Sequence, residues 1–400
     1  MPGVFLVAMV TAQLIPNSWV STNIEKSRDI IRVETVYHDA YHVPSVHWLA
    51  ASDGFSDNIY LQEQIADRSH GVFYGAMIPN YDRYWHGYSI VLRPLLVFFD
   101  LSYIRQMLVI CFFVITAILV HLIIRHINLA VGIFFVVALA LVNPPVIMIS
   151  LQFSNMFLLT LIASTVLLVL LAKKRSLEDI FIFFAALGSL TSFFDLLTTP
   201  VITLGIPLLL FVAYRIEHGE QKDLLHHVLY IACLWGAGYF ISWASKWLIG
   251  SLLLQRNIFL EATTKVAFWS SDYSAIVSHN VSAPYVLWQW IKRLVLYLPL
   301  LVATVVGFGF ALLKKVRFSK RAFFAGVSFT SILSILIPTL LPILWLIVAR
   351  QHSFAHQWFS YRHLFILLFG VFVLMWYTSR LQTKMPIAKR KLRSVTQDKP

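Results

Sequence analysis

Three groups of side chains in this chain have the types and spacings of acid–base or phosphate chemistry. The first is a pair of carboxylates, Asp53 and Asp57, in SDGFSDNIYLQEQIADR. They are four apart, so they share a face if both are helical. A carboxylate at a membrane surface can act as general base toward an acceptor hydroxyl, or hold a divalent cation beside a phosphate. The same residues also suit local structure: an Asx turn at Asp53 before Gly54, then a helix cap at Ser56 or Asp57. The second group is Asp195 in SFFDLLTTPVITLG, about one turn from the end of an apolar run. An ionisable group at that depth is costly and points to function. The competing reading is a carboxylate drawn to the interface or bonded to Thr198 and Thr199. The third group is basic. Arg83, His86 and Arg93 lie in YDRYWHGYSIVLRPLLVFFD; Arg350, His352, His356, Arg362 and His363 lie in RQHSFAHQWFSYRHLF. Arginine presents a planar fork to phosphate oxygens. His352 and His356 have the i, i+4 spacing of metal ligands, yet no glutamate stands between them as in HExxH and no third ligand is evident. Phosphate is the better fit, with plain interfacial anchoring as the alternative, because aromatic and basic residues gather at headgroup level.

These groups need elements to position them. Read as a helix, residues 81–100 put Arg83, His86 and Arg93 on one stripe and Tyr84, Tyr88, Leu92 and Leu95 on another. That is the layout of a helix lying at a membrane surface. Pro94 disfavours helix at Arg93 and divides the segment. Residues 52–68 read as a turn followed by a short helix.

The surrounding chain is a membrane protein. Apolar residues make up 58% and charged residues only 13%, which places it among all-α polytopic membrane proteins. Its net charge of +13 sits in short loops and the tail, so it reads as topology and contact with anionic lipid, not nucleic-acid binding. Cys111 and Cys233 fall inside apolar runs and form no disulfide framework.

Ten spans are expected: residues 1–20, 102–124, 127–149, 154–172, 180–197, 200–215, 227–250, 289–313, 322–349 and 363–379. The first lacks the basic start of a signal peptide. Arg125, Lys173 to Arg175, Arg215, Lys222, the basic residues of 314–321 and a basic tail from 381 to 400 all fall on one side. The positive-inside rule makes that side cytoplasmic, with both termini there, in a multi-pass protein of the cell membrane. Segments 21–93, 251–288 and 350–362 then face outward from a single transmembrane domain covering 1–380. Long loops of this kind carry function. Phosphate-binding glycine loops, nucleophile elbows and a cytoplasmic domain for nucleotide chemistry are all missing from the sequence. A donor would therefore arrive through the membrane, for example on a lipid phosphate.

The layout resembles the GT-C superfamily of polytopic glycosyltransferases. The segments RYWHGYSIVLRPLL, SFFDLLTTPVITLGIPL and HSFAHQWFSYR resemble a group of uncharacterised bacterial membrane proteins of that layout. The resemblance implies a large first extracytoplasmic loop with short amphipathic helices and an acidic catalytic residue, and a polyprenyl-phosphate sugar donor. The sugar would pass to a glycan, lipid or protein acceptor of the cell envelope. Asp57 or Asp53 would then be the base or cation-binding group, with Asp195 behind it. Arg83, His86, Arg93, Arg350, His352, His356 and Arg362 would hold the phosphate. No cofactor is implied beyond a divalent cation at the carboxylates. In one departure, many of these enzymes place the acid a few residues after the first span, where Glu25 and Asp29 stand here. The alternative is a transporter or flippase of an envelope lipid or polysaccharide precursor. Transporters place ionisable groups near mid-membrane, whereas here they gather at the ends of spans.

Overall fold

The computed structural model describes residues 1–34, 54–65, 67–274, 278–294, 299–304, 306–307 and 328–380. Asp53, the basic 314–321 loop and the tail from 381 lie outside the described residues, as do much of the expected span 289–313 and the first residues of 322–349. The regular structure among the described residues is helical, apart from one antiparallel pairing of β1 (Tyr273–Ser274) with β2 (His279–Asn280).

The helices begin where small polar residues can cap them. In chain order they are α1 (Pro2–Leu14), α2 (Asn17–Glu34), α3 (Gly54–Gln62), α4 (Val72–Ala76), α5 (Ser89–Phe98) and α6 (Leu101–His126). Then come α7 (Leu129–Ala140), α8 (Pro144–Ile149), α9 (Leu151–Ala172), α10 (Leu177–Phe194), α11 (Ile202–Glu217) and α12 (Leu224–Leu254). The last are α13 (Ile258–Ser270), α14 (Ala283–Lys292), α15 (Phe329–Thr339), α16 (Leu341–Val348), α17 (Arg350–Ala355), α18 (Gln357–Ser360) and α19 (Leu364–Arg380). Asp100, Asn128, Ser150 and Ser176 each accept a backbone N–H of the helix that follows, satisfying one of its orphan donors.

Among the described residues, five segments are long and apolar enough to cross a bilayer: α6, α9, α10, α12 and 357–378. The number rises to seven if the bent pairs α1–α2 and α15–α16 are each one span. The sequence expectation differs in three places. Residues 1–20 are not one rod: the chain turns 85° between α1 and α2. At about 1.5 Å per residue α1 is roughly 20 Å long, short of the roughly 30 Å hydrocarbon core. Segment 127–149 is broken at Asn143, which takes a left-handed conformation before Pro144 and Pro145. Segment 200–215 becomes the 16-residue α11, buried almost throughout at the centre of the bundle.

α10 and α12 pack closely through glycine. A Cβ at Gly188 would lie 2.0 Å from the Trp235 carbonyl oxygen, and one at Gly238 would lie 2.1 Å from that of Ala185. Small residues let helix backbones approach in lipid, where apolar burial alone does not drive association.

Described parts of the segments read as outer loops touch one another. Trp85 donates to the Ser242 carbonyl at 2.7 Å, and Trp243 and Trp247 donate to that of Arg83 at 2.9 and 3.1 Å. Arg256 pairs with Asp82, Arg350 lies 3.9 Å from Asp272, and Trp290 donates to the Ser353 carbonyl at 3.2 Å. The described residues of 54–88, 251–294 and 345–363 thus form one cap over the ends of α9, α10 and α12. The opposite end carries Arg125, Lys173, Lys174 and Arg215, with Glu217 receiving hydrogen bonds from Asn128 and Tyr377.

Candidate functional site

The expected surface helix over 81–100 does not form. Helix begins only at Ser89 and runs through Pro94 to Phe98. Residues 79–88 are irregular, with His86 at φ +57°. The cause lies in Gly87. Its N–H donates to the Phe193 carbonyl at 2.7 Å, and a Cβ there would sit 2.4 Å from the Phe193 ring. Only glycine lets this loop press against the end of α10, beside Asp195. Arg83, His86 and Arg93 therefore face three different places.

Arg93 is buried and donates to the Ile15 carbonyl (2.6 Å) and to Asn17 Oδ1 (2.7 Å). Arg68 reaches the same carbonyl at 2.6 Å and also that of Gln13. Two guanidiniums thus occupy the carbonyl end of α1, where the helix dipole is negative, and fix the bend into α2. Burial lowers the Arg93 pKa to about 10, helped by Arg68. His86 is buried between the Tyr81 carbonyl (2.6 Å), Tyr88 Oη (3.0 Å) and Glu63 (2.9 Å). Arg362 is buried too, donating to the Trp358 carbonyl at 2.7 Å with its guanidinium 4.2 Å from the centre of the Phe153 ring.

Asp57 is a cap, but of a different helix from the one expected. It lies in the first turn of α3, and its Oδ1 accepts from Ser150 Oγ at 3.1 Å and from the Gln152 N–H at 3.4 Å. Its other oxygen is 3.8 Å from Arg105, which donates to both Glu34 oxygens at 2.7 and 2.8 Å and to the Ile149 carbonyl. Asp57 is fully buried at the positive end of α9.

Asp195 occupies a different kind of position. It ends α10 and its Oδ1 accepts the Thr198 N–H at 2.8 Å, with the N–H groups of Leu197 and Thr199 also directed at it. This turn, with Leu197 at φ +63°, delays the next helix to Ile202. Asp195 Oδ2 is buried with no hydrogen-bond partner among the described residues. Burial raises its pKa to about 7, an effect that the three backbone N–H groups only partly offset. Asp195 also acts electrostatically on Tyr60, Tyr81 and Tyr84, and burial holds all three phenols above the usual tyrosine range.

Those tyrosines form the wall of a crevice made of three adjoining cavities. The outermost, about 350 Å³, is lined by polar Glu63, Asp67 and Asn80, and shares Tyr81 with the next. The middle one, about 120 Å³, lies between Tyr60, Tyr81, Tyr84 and Gln152 on one side and His352 and His356 on the other. The third, about 140 Å³, adds Arg83, Lys265, Trp243 and Trp345, and shares Tyr84, Trp269 and His352 with the second. Leu196 and Leu197, the residues after Asp195, line the second and third.

Of the basic residues singled out in the sequence, Arg83, His352 and His356 line this crevice, and Arg350 sits near it on Asp272. The His352 and His356 rings lie 4.5 Å apart. Burial, and then His356 and His363, depress the His352 pKa well below its ordinary value, so its ring is neutral and acts as a polar contact, not a cation. Arg83 is paired with Glu261 across the crevice. No group of three His, Cys, Asp or Glu side chains converges as metal ligands among the described residues.

Sequence reasoning passed over Tyr60, Tyr81, Glu63, Glu261, Lys265 and Trp269. Only Trp269 and Lys265 carried a signal, as an aromatic and a cation in an outer loop. Comparison of the chain with protein-family models, curated proteins and solved structures finds no match.

Proposed function

We propose that this protein is a membrane glycosyltransferase that takes a sugar from a polyprenyl-phosphate donor and passes it to a cell-envelope acceptor. The observation that carries this reading is the crevice. Asp195, a carboxyl with a pKa near neutrality, precedes Leu196 and Leu197, which line the crevice, and acts electrostatically on its tyrosines, while Arg83 and Lys265 line the same crevice. A base poised near neutral pH suits deprotonation of a hydroxyl. Cations aimed at a leaving phosphate stabilise charge that develops only as the bond breaks.

In this mechanism the acceptor hydroxyl gives its proton to Asp195. The acceptor oxygen bonds to the anomeric carbon as the bond to the phosphate oxygen breaks, and the electron pair leaves with the lipid phosphate. Arg83 and Lys265 meet that charge, and the neutral His352, with His356 beside it, orients the phosphate. Asp57 supports the site by fixing α3 to α9. The crevice opens on the outer face of a multi-pass protein of the cell membrane with both termini cytoplasmic. The distribution of Arg125, Lys173, Lys174 and Arg215 at the opposite end supports that orientation.

The test is the state of lipid-linked sugars in cells carrying only Asp195→Asn. Unused donor accumulating on the outer face is the expected result. Donor trapped on the cytoplasmic face would favour the transporter reading, and an unchanged lipid profile with normal glycan would discard both.

A further inference from the structure

Around the middle cavity of the crevice two polar atoms lack partners. Tyr60 is 1% exposed, and its hydroxyl is buried with no hydrogen-bond partner among the described residues. Gln152 is 5% exposed. Its Nε2 donates to Thr198 Oγ1 at 3.0 Å, while its buried Oε1 has no partner among the described residues. Both residues line the cavity. Both also stand on fixed supports. Tyr60 belongs to α3 and stacks on Tyr88 at 3.7 Å; Gln152 lies in the first turn of α9, and its backbone N–H donates to Asp57. Burying a polar group without a partner costs folding free energy, which a bound group of the right kind returns. The phenol offers a donor and the amide oxygen an acceptor, and a hydroxyl group can answer either one.

Fixed charge is missing from the rest of the lining. Asp, Glu, Lys and Arg are absent from the described residues around the middle cavity. The cations Arg83 and Lys265 line the third cavity, and the carboxylates Glu63 and Asp67 line the outermost. An ionised group drawn into the middle would lose its water and gain no fixed counter-ion, which is costly. Tyr81, Tyr84, Trp269 and Phe359 supply aromatic surface there. Aromatic faces are electron-rich and suit the C–H face of a sugar ring. The volume, about 120 Å³, equals the share of about four waters in the liquid, so it accommodates one ring and not two.

Resting on the reading of the crevice given above, we infer that the transferred sugar is a single ring without an ionised group, seated in the middle cavity, and that Tyr60 and Gln152 select it by hydrogen bonds to its hydroxyls. A uronic acid, a free amino sugar or a phosphorylated sugar is turned away by the absence of a counter-ion. A ring lacking the matching hydroxyls is turned away because it leaves the phenol and the amide oxygen unpaired.

The experiment uses the full chain in liposomes made with the lipid extract of cells lacking it, and mass spectrometry to identify the sugar on the lipid that is consumed. A single ring with no carboxylate, amine or phosphate is the expected sugar. Tyr60→Phe and Gln152→Met are then assayed with that lipid. Each should raise its KM at least fivefold with kcat within about twofold of wild type, since each removes one hydrogen bond to the bound ring. Tyr60→Phe keeps the stacking on Tyr88 and removes a hydroxyl unpaired among the described residues, so its melting temperature in detergent should equal or exceed that of wild type. A role in the fold alone would lower the melting temperature and leave KM unmoved. Consumption of a lipid whose sugar is charged, or has more than one ring, overturns the inference and leaves the crevice reading intact. An unchanged KM in either variant overturns the hydrogen-bonded seat. If no lipid-linked sugar is consumed, the crevice reading falls and this inference with it.

Discussion

Replacing Asp195 by asparagine should make the protein more stable at alkaline pH and inactive at every pH. Asparagine keeps the shape and the oxygen that accepts from Thr198, and removes the charge. In the folded protein burial moves the carboxyl from an ordinary 3.8 to about 7, so the folded form holds the proton more tightly than the unfolded chain. The stability contributed by that proton is complete below about pH 4, declines as pH rises, and is gone above about 7. A displacement of that size is worth about 4 kcal/mol, of which about 3 kcal/mol falls between pH 5 and 8. Tyr60, Tyr81 and Tyr84 feel Asp195, and burial raises all three phenols, so they stay neutral over that range. The comparison of variant with wild type therefore isolates the carboxyl. The assay is chemical unfolding in detergent, followed by tryptophan fluorescence, at pH 5, 6, 7 and 8. The gap between Asp195→Asn and wild type should open in favour of the variant as pH rises and level off above 7. Parallel curves for the two proteins would mean that Asp195 is ionised at all these pH values, and the argument for a poised base would collapse.

The other predictions concern neighbouring residues. Arg83→Lys should cut sugar transfer at least tenfold with unchanged abundance in the membrane, because lysine loses the fork that can serve Glu261 and a phosphate together; transfer within twofold of wild type would leave Arg83 as a simple interfacial charge. Asp57→Ala should destabilise by roughly 1.5–3 kcal/mol, since it strips the start of α9 and one partner of Arg105; a normal unfolding midpoint with lost transfer would instead restore Asp57 as a chemical group. Arg93→Met should loosen the α1–α2 bend, read as faster proteolysis near residues 14–17, and unaltered proteolysis would leave Arg68 as a sufficient anchor. Gly188→Leu should separate α10 from α12 and lower the yield of folded protein, an overpacking cost of about 1–3 kcal/mol or more, detected as a lower melting temperature.

The helical membrane class could be read from composition. Asp195 also stood out, because a carboxylate at the end of an apolar run has few inexpensive environments. What the sequence concealed was partnership across long distances. Asp57 looks like the cap of the helix it begins, yet it binds the start of a helix 93 residues later. Arg93 and Arg362 have the same side chain as Arg83, but the first two are consumed by carbonyls and aromatic rings of the fold. Residue type cannot separate a ligand-facing guanidinium from one that ends a helix. The stripe expected on 81–100 failed because helical spacing says nothing of Gly87, whose contact with Phe193 breaks the helix and builds the loop beside the crevice.

The most direct test of sugar transfer from a lipid phosphate is a reconstitution. The purified protein would be placed in liposomes containing the lipid extract of cells lacking it, and lipid-linked sugars followed by mass spectrometry. One polyprenyl-phosphate sugar should be consumed, with polyprenyl phosphate released in equal amount, and Asp195→Asn should leave that lipid untouched. A lipid-linked sugar that crosses the bilayer without being consumed, equally well with wild type and Asp195→Asn, would contradict the account.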